Sequence, residues 1–338
     1  MTACLLLLVI AQAALLASGR TPDLRIVGSL EGAPPAARPT FHLRQGERLV
    51  LSIETGDGSE VGPGISWLLF KPVLREYSNL WEADDPEAGN VHLEPIRYIG
   101  IPIPGLDGRP EIDVCSVVPA NEPGTFYIGA AAVEDHGTGP SRVIILSETS
   151  PLHLKYPQRI VQISRRFDDS YIGWLTELFR TPFIVAPRVT EPWVHETDER
   201  MGSDCASFAI YGMRRQGFRI PYCGPLGIYK FLTETGRSPA WPGRPDSTGV
   251  YFFKNGTTVP VGPGHIEPGD IIHFGEQVSV FYADAGRPGV LDKDDLLIQC
   301  YLGGPTITRI EDSGFFHRPV RIFKWRDDIA RGSGKTAQ

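Results

Sequence analysis

Gly202-Ser203-Asp204-Cys205-Ala206-Ser207-Phe208-Ala209 is the stretch from which the rest of the chain is best read. Ser203 is a good N-cap, and the apolar spacing that follows predicts a helix to about Gln216, closed by Gly217. Cys205 then sits in the first turn, where unpaired backbone N–H groups and the helix dipole favour a thiolate, the form of cysteine that acts as a nucleophile. Phe208, Ala209 and Gly212 stand at i+3, i+4 and i+7 from it, so the cysteine shares the inward stripe of its helix.

Short runs that read as strands follow this helix. They are Asp270 to Phe274, Val278 to Ala283, Leu296 to Leu302, Thr306 to Ile310 and Val320 to Trp325. Asn255-Gly256 between Val250–Lys254 and Thr257–Val261 predicts a hairpin, and Pro225 to Thr235 predicts a further helix. Upstream, Asp168 or Asp169 can cap a helix from about Ser170 to Arg180. Between residues 40 and 149 the pattern is all strand: Leu49–Ile53, Ile65–Phe70, Ile112–Val118, Thr125–Ala132 and Arg142–Leu146, divided by Gly, Pro and Asp turns. The expected class is α+β, with an all-β sandwich over 20–149, a linker over 150–165, a helix-and-sheet domain over 166–326 and a disordered tail over 327–338.

Composition sets the outer limits. The 338 residues are enough for about two domains, and 37 glycines with 30 prolines favour many turns over a helical bundle. A formal charge of −7 provides no basic field for a phosphate backbone, so nucleic acid is not an expected partner. The apolar run Leu5–Leu16 is too short to span a membrane; with Ala17-Ser18-Gly19 behind it, residues 1–19 read as a secretory signal. The protein is therefore expected to be exported, to a periplasm or the outside of the cell. No metal or cofactor motif occurs: His195-Glu196 lacks a second zincin histidine, and there is no Cys-x-x-Cys.

Asp204-Cys205-Ala206-Ser207-Phe208 resembles the Asp-Cys-Ser-Gly-Phe signature of the NlpC/P60 cysteine peptidases, which cleave amide bonds of bacterial cell-wall peptides. Glu267-Pro268-Gly269-Asp270-Ile271-Ile272-His273-Phe274 is similar to that family's Pro-Gly-Asp strand, and Val278-Ser279-Val280-Phe281-Tyr282 to its next strand, in the same order. The resemblance covers about Ser203 to Ile310. It implies a papain-like fold for the C-terminal domain and a thiol peptidase or amidase acting on a peptide or peptidoglycan-type substrate. Cys205 would be the nucleophile, and helix N-terminal amides would hold the oxyanion.

The chain departs from the family at the base. Gln277 stands where the family has its catalytic histidine, and Gln299 best matches the following polar position. Glutamine accepts no proton at neutral pH. His273 is the nearest imidazole in sequence, but a two-residue loop at Gly275-Glu276 pairs it with Val278, on the face opposite Gln277. His195 and His265 are further candidates without support from spacing. The alternative reading is an inactive NlpC/P60-like module that binds cell wall or protein, with the N-terminal sandwich as a possible protein contact. After residue 19 the cysteines are Cys115, Cys205, Cys223 and Cys300; a Cys205–Cys223 bridge would make Cys205 structural.

Overall fold

Inward residues alternate with outward ones along Leu49–Thr55, the period of a strand with one face on a core. The computed structural model describes residues 24–56, 65–73, 78–79, 94–132, 144–146, 152–156, 158–191, 194–235 and 244–329, and the same pattern recurs along Thr40–Arg44 and Arg97–Pro102. The fold is mixed α+β with mostly strands. It divides into two compact units, the first built mainly from residues up to Arg165 and the second from Arg166 onward.

The first unit holds β1 (Leu24–Leu30), β2 (Thr40–Arg44), β3 (Leu49–Thr55), β4 (Ile65–Val73), β5 (Arg97–Pro102), β6 (Glu111–Asp113), β7 (Gly124–Ala132), β8 (Ile144–Leu146) and β9 (Ile160–Arg166). They form a three-stranded sheet, β1-β3-β6, and a six-stranded sheet, β8-β5-β4-β7-β9-β2. One apolar core takes Ile26, Leu51 and Ile112 from the first sheet and Leu43, Trp67, Ile128 and Ile163 from the second. The buried Trp67 indole donates to the Arg109 carbonyl at 2.9 Å, so its polar atom is matched.

β9 corrects the expected linker over 150–165. Its residues lie in the sheet beside β7, with Ser164 opposite Thr125 and Gln162 opposite Tyr127. Those polar side chains are buried because they satisfy one another: the Ser164 and Thr125 hydroxyls are 2.8 Å apart, and the Gln162 amide donates to the Tyr127 hydroxyl at 3.1 Å. Arg165 is also buried rather than solvated, donating to the Pro119 and Glu122 carbonyls at 2.6 and 3.2 Å. A short helix, α1 (Leu152–Lys155), precedes this strand.

The second unit contains α2 (Tyr171–Thr176), α3 (Cys205–Arg215), β10 (Leu232–Glu234), β11 (Ile271–His273), β12 (Val278–Ala283), β13 (Leu296–Tyr301), β14 (Gly304–Arg309) and β15 (Arg321–Trp325). The six strands form one sheet in the order β10-β15-β11-β12-β13-β14, every neighbouring pair antiparallel. One face, with Ile271, Val278, Val280, Ile298 and Cys300, packs with α3. The other face, with Ile272, Phe281 and Leu297, belongs to a separate core closed by loop residues such as Val259, Leu291 and Phe315.

Two expected helices are altered. The first runs only over Tyr171–Thr176 and is capped by Ser170, whose hydroxyl accepts from the Gly173 N–H. Pro225 to Thr235 becomes a 3₁₀ turn, Gly227–Phe231, followed by β10, which pairs with β15. Tertiary pairing there overrides local propensity. No helix among the described residues is long and apolar enough to cross a membrane. The expected signal at 1–19 and the tail from 330 lie outside the described residues.

Candidate functional site

The helix that carries Cys205 starts one residue later than its sequence suggests. Asp204, with extended backbone, is the N-cap, and its carboxylate accepts from the Ser207 N–H at 2.7 Å. Ser203, expected in that role, donates its hydroxyl to the Asp204 carbonyl instead. At the other end Phe218 N–H reaches the Met213 carbonyl and Gly217 N–H the Arg214 carbonyl, with Gly217 at φ +90°. This is a Schellman closure, which needs the left-handed conformation that glycine adopts at little cost.

Cys205 is thus the first helical residue, yet its side chain is sealed. It is 6% exposed, packed in the apolar cluster between α3 and the sheet, and its sulfur lies 3.9 Å from the Glu276 carbonyl, to which the protonated thiol donates. Burial pushes the thiol up to about 12, and the neighbouring Asp204 carboxyl adds to the rise. Backbone N–H groups of Val278, Ala206 and Cys205 itself pull the other way and are outweighed. Cys300, on the facing strand, donates its thiol to the Ser203 carbonyl at 3.0 Å and is also raised well above its ordinary value by burial. The two thiols therefore tie the start of α3 to the sheet from both sides. All four described cysteines are free, so the Cys205–Cys223 bridge does not form.

Gln277 and Gln299 come together, away from the thiol. Ser279 pairs with Gln299 across β12 and β13, and both face the side of Phe281 and Leu297, opposite α3. Gln277 lies on that same side by alternation. Its amide donates to Gln299 Oε1 and to the Cys300 carbonyl, each at 3.3 Å; Ser279 donates to Gln299 Oε1 at 2.8 Å, and Gln299 Nε2 to the Ser313 carbonyl at 3.3 Å. All three side chains are buried. The cluster fixes the hairpin and holds no general base.

The register expected for His273 is present: it pairs with Val278, and Phe274 N–H donates to the Gln277 carbonyl. As a site residue it is corrected by its bonding. Nδ1 accepts from the Gly275 N–H and the Tyr229 hydroxyl, each at 3.0 Å, and Nε2–H donates to the Pro225 carbonyl at 2.9 Å. Burial lowers its proton affinity, and both nitrogens are committed, so it is a core histidine. His195 is likewise buried. It stacks on Tyr222 at 3.9 Å, accepts from the Thr197 N–H, and is lowered to about 4 chiefly by burial. His265 is exposed on a turn.

Sequence reading missed two charged networks at the far end of α3. Arg214 donates twice to Asp198 at 2.9 and 3.2 Å; Tyr222 donates to the same carboxylate at 2.7 Å. The second network joins Arg166, Trp174, Glu177, Tyr211 and Arg215. An arginine pair closing a helix beside several aromatics was its only trace in the sequence. Comparison of the chain with protein-family models, with curated proteins and with solved structures returns no match.

Proposed function

We propose that the second unit is an NlpC/P60-like, papain-like domain that binds a cell-wall peptide or a related ligand without cleaving it, in an exported protein. The observation that carries this reading is the state of Cys205: buried, protonated and hydrogen-bonded to a carbonyl, with no imidazole of the described residues hydrogen-bonded to its sulfur. A thiol held at about 12 is ionised to about one part in 10⁵ at pH 7, which weighs against nucleophilic catalysis. The Asp-Cys motif and the Pro-Gly-Asp strand support descent from that family. Export rests on the apolar run at residues 5–16.

The test is incubation of the full chain with purified peptidoglycan sacculi. The expected result is co-sedimentation, equal for the wild type and Cys205→Ala, with no new amino groups or soluble peptides released. Release of peptides by the wild type but not by Cys205→Ala would establish a hydrolase instead, and absence of co-sedimentation would remove the cell-wall ligand.

A further inference from the structure

We propose that Arg215 and Arg166, stacked over Trp174, form a recognition site for the free carboxylate of a short peptide, separate from the Cys205 region. The guanidinium carbons lie 4.5 and 3.9 Å from the Trp174 ring centre. Behind them Glu177 is fully buried and accepts the Tyr211 hydroxyl. Its oxygens stand 3.9 Å from Arg166 Nη1 and 3.8 Å from Arg215 Nε, which balances charge without forming hydrogen bonds.

The donors are left in hand. Arg166 donates through Nε to Asp169 at 2.8 Å, leaving both Nη groups without a hydrogen-bond acceptor among the described residues. Arg215 donates to none of them, and its Nε is buried. The Nη atoms, unlike the buried Nε of Arg215, reach solvent, and a guanidinium fork matches a carboxylate bidentately. The side chains of Arg166 and Arg215 are only 11% and 24% exposed, so the forks are held by the indole rather than swinging freely. That is preorganisation. Asp169 and the buried Glu177 place two carboxylates beside the guanidiniums, which weighs more against a doubly charged phosphate than against a monoanion. Trp174, itself partly exposed, offers apolar surface to the adjoining peptide. Arg215 closes an eleven-residue helix that Cys205 opens, so the two sites are about 15 Å apart along its axis.

The experiment follows tryptophan fluorescence of the full chain during titration with alanyl-alanine, with its C-terminal amide and with inorganic phosphate. The expected result is saturable quenching by the dipeptide, lost in Trp174→Phe, with the amide and phosphate each at least about tenfold weaker. Arg215→Gln and Arg215→Lys are expected to weaken the dipeptide by about tenfold or more, because lysine keeps the charge and loses the fork. Equal affinity for acid and amide, tighter binding of phosphate, or no saturation up to about 50 mM would each overturn the proposal. So would unchanged affinity in a natively folded Arg215→Gln. Should that variant fail to fold around Glu177, the acid-against-amide comparison on the wild type still decides. None of these readings depends on sacculus binding.

Discussion

A thiol at a helix N-terminus is pulled two ways. The dipole and the free N–H groups are worth roughly 0.3–1 kcal/mol to an exposed anion, whereas the rise of Cys205 from 9.0 to about 12 corresponds to about 4 kcal/mol against one. Desolvation wins, and the helix start alone could not reveal it. The position of Cys205 was legible from Phe208, Ala209 and Gly212. Its sealing was not, because the residues that cover it come from strands more than 60 positions away. Asp204 offers a test of the same burial. Desolvation raises its carboxyl from 3.8 to about 6, against the lowering effect of the Ser207 N–H. A folded value above the unfolded one means the folded state holds the extra proton. The stabilisation is complete below about pH 4 and is lost as pH rises through about 6. Unfolding free energies of the wild type and Asp204→Asn between pH 4 and 8 are expected to diverge by roughly 2–3 kcal/mol in favour of the variant at the alkaline end. Asp295, raised in the same sense, is common to both proteins and cancels. Parallel curves would place Asp204 in water.

At the level of elements, α3 is positioned by close contact as well as by its apolar stripe. A Cβ added at Gly212 would come within 2.7 Å of the Tyr171 ring and 2.9 Å of Leu175. Gly212→Ala therefore forces α2 and α3 apart at a cost of roughly 1–3 kcal/mol, partly offset by about 1 kcal/mol of helix propensity. A net fall in Tm is expected on thermal melting, and a rise would show the interface to be looser than described. The strands of this unit were readable because alternation and turn residues agree; β12 has the very bounds expected, Val278–Ala283. Pro225 to Thr235 was not, since the Pro225 carbonyl is taken by His273 and Leu232–Glu234 by β15. β9 was missed because Gln162, Ser164 and Arg165 look solvated until their buried partners are known.

For the whole molecule, two units were expected and two are present, but the division falls at Arg165 rather than 149. β9 sits between β7 and β2 in the six-stranded sheet, so a fragment ending at 149 would lose an interior strand and its share of the core. Residues 20–149 expressed alone are expected to be aggregated or to melt without a cooperative transition. Residues 20–169 are expected to unfold cooperatively, as followed by circular dichroism. A cooperative 20–149 fragment would mean β9 is dispensable. The resemblance read from the sequence and the geometry of its residues diverge most at Cys205, and the proposed function turns on its sulfur.

The most direct measurement is the rate of Cys205 alkylation in the native protein as a function of pH, read by mass spectrometry of the peptide that carries it. The expected profile is reaction no faster than global unfolding allows, with no ionisation step below about pH 9. Rapid labelling of folded protein with a midpoint at or below neutral pH would contradict it and return the site to catalysis.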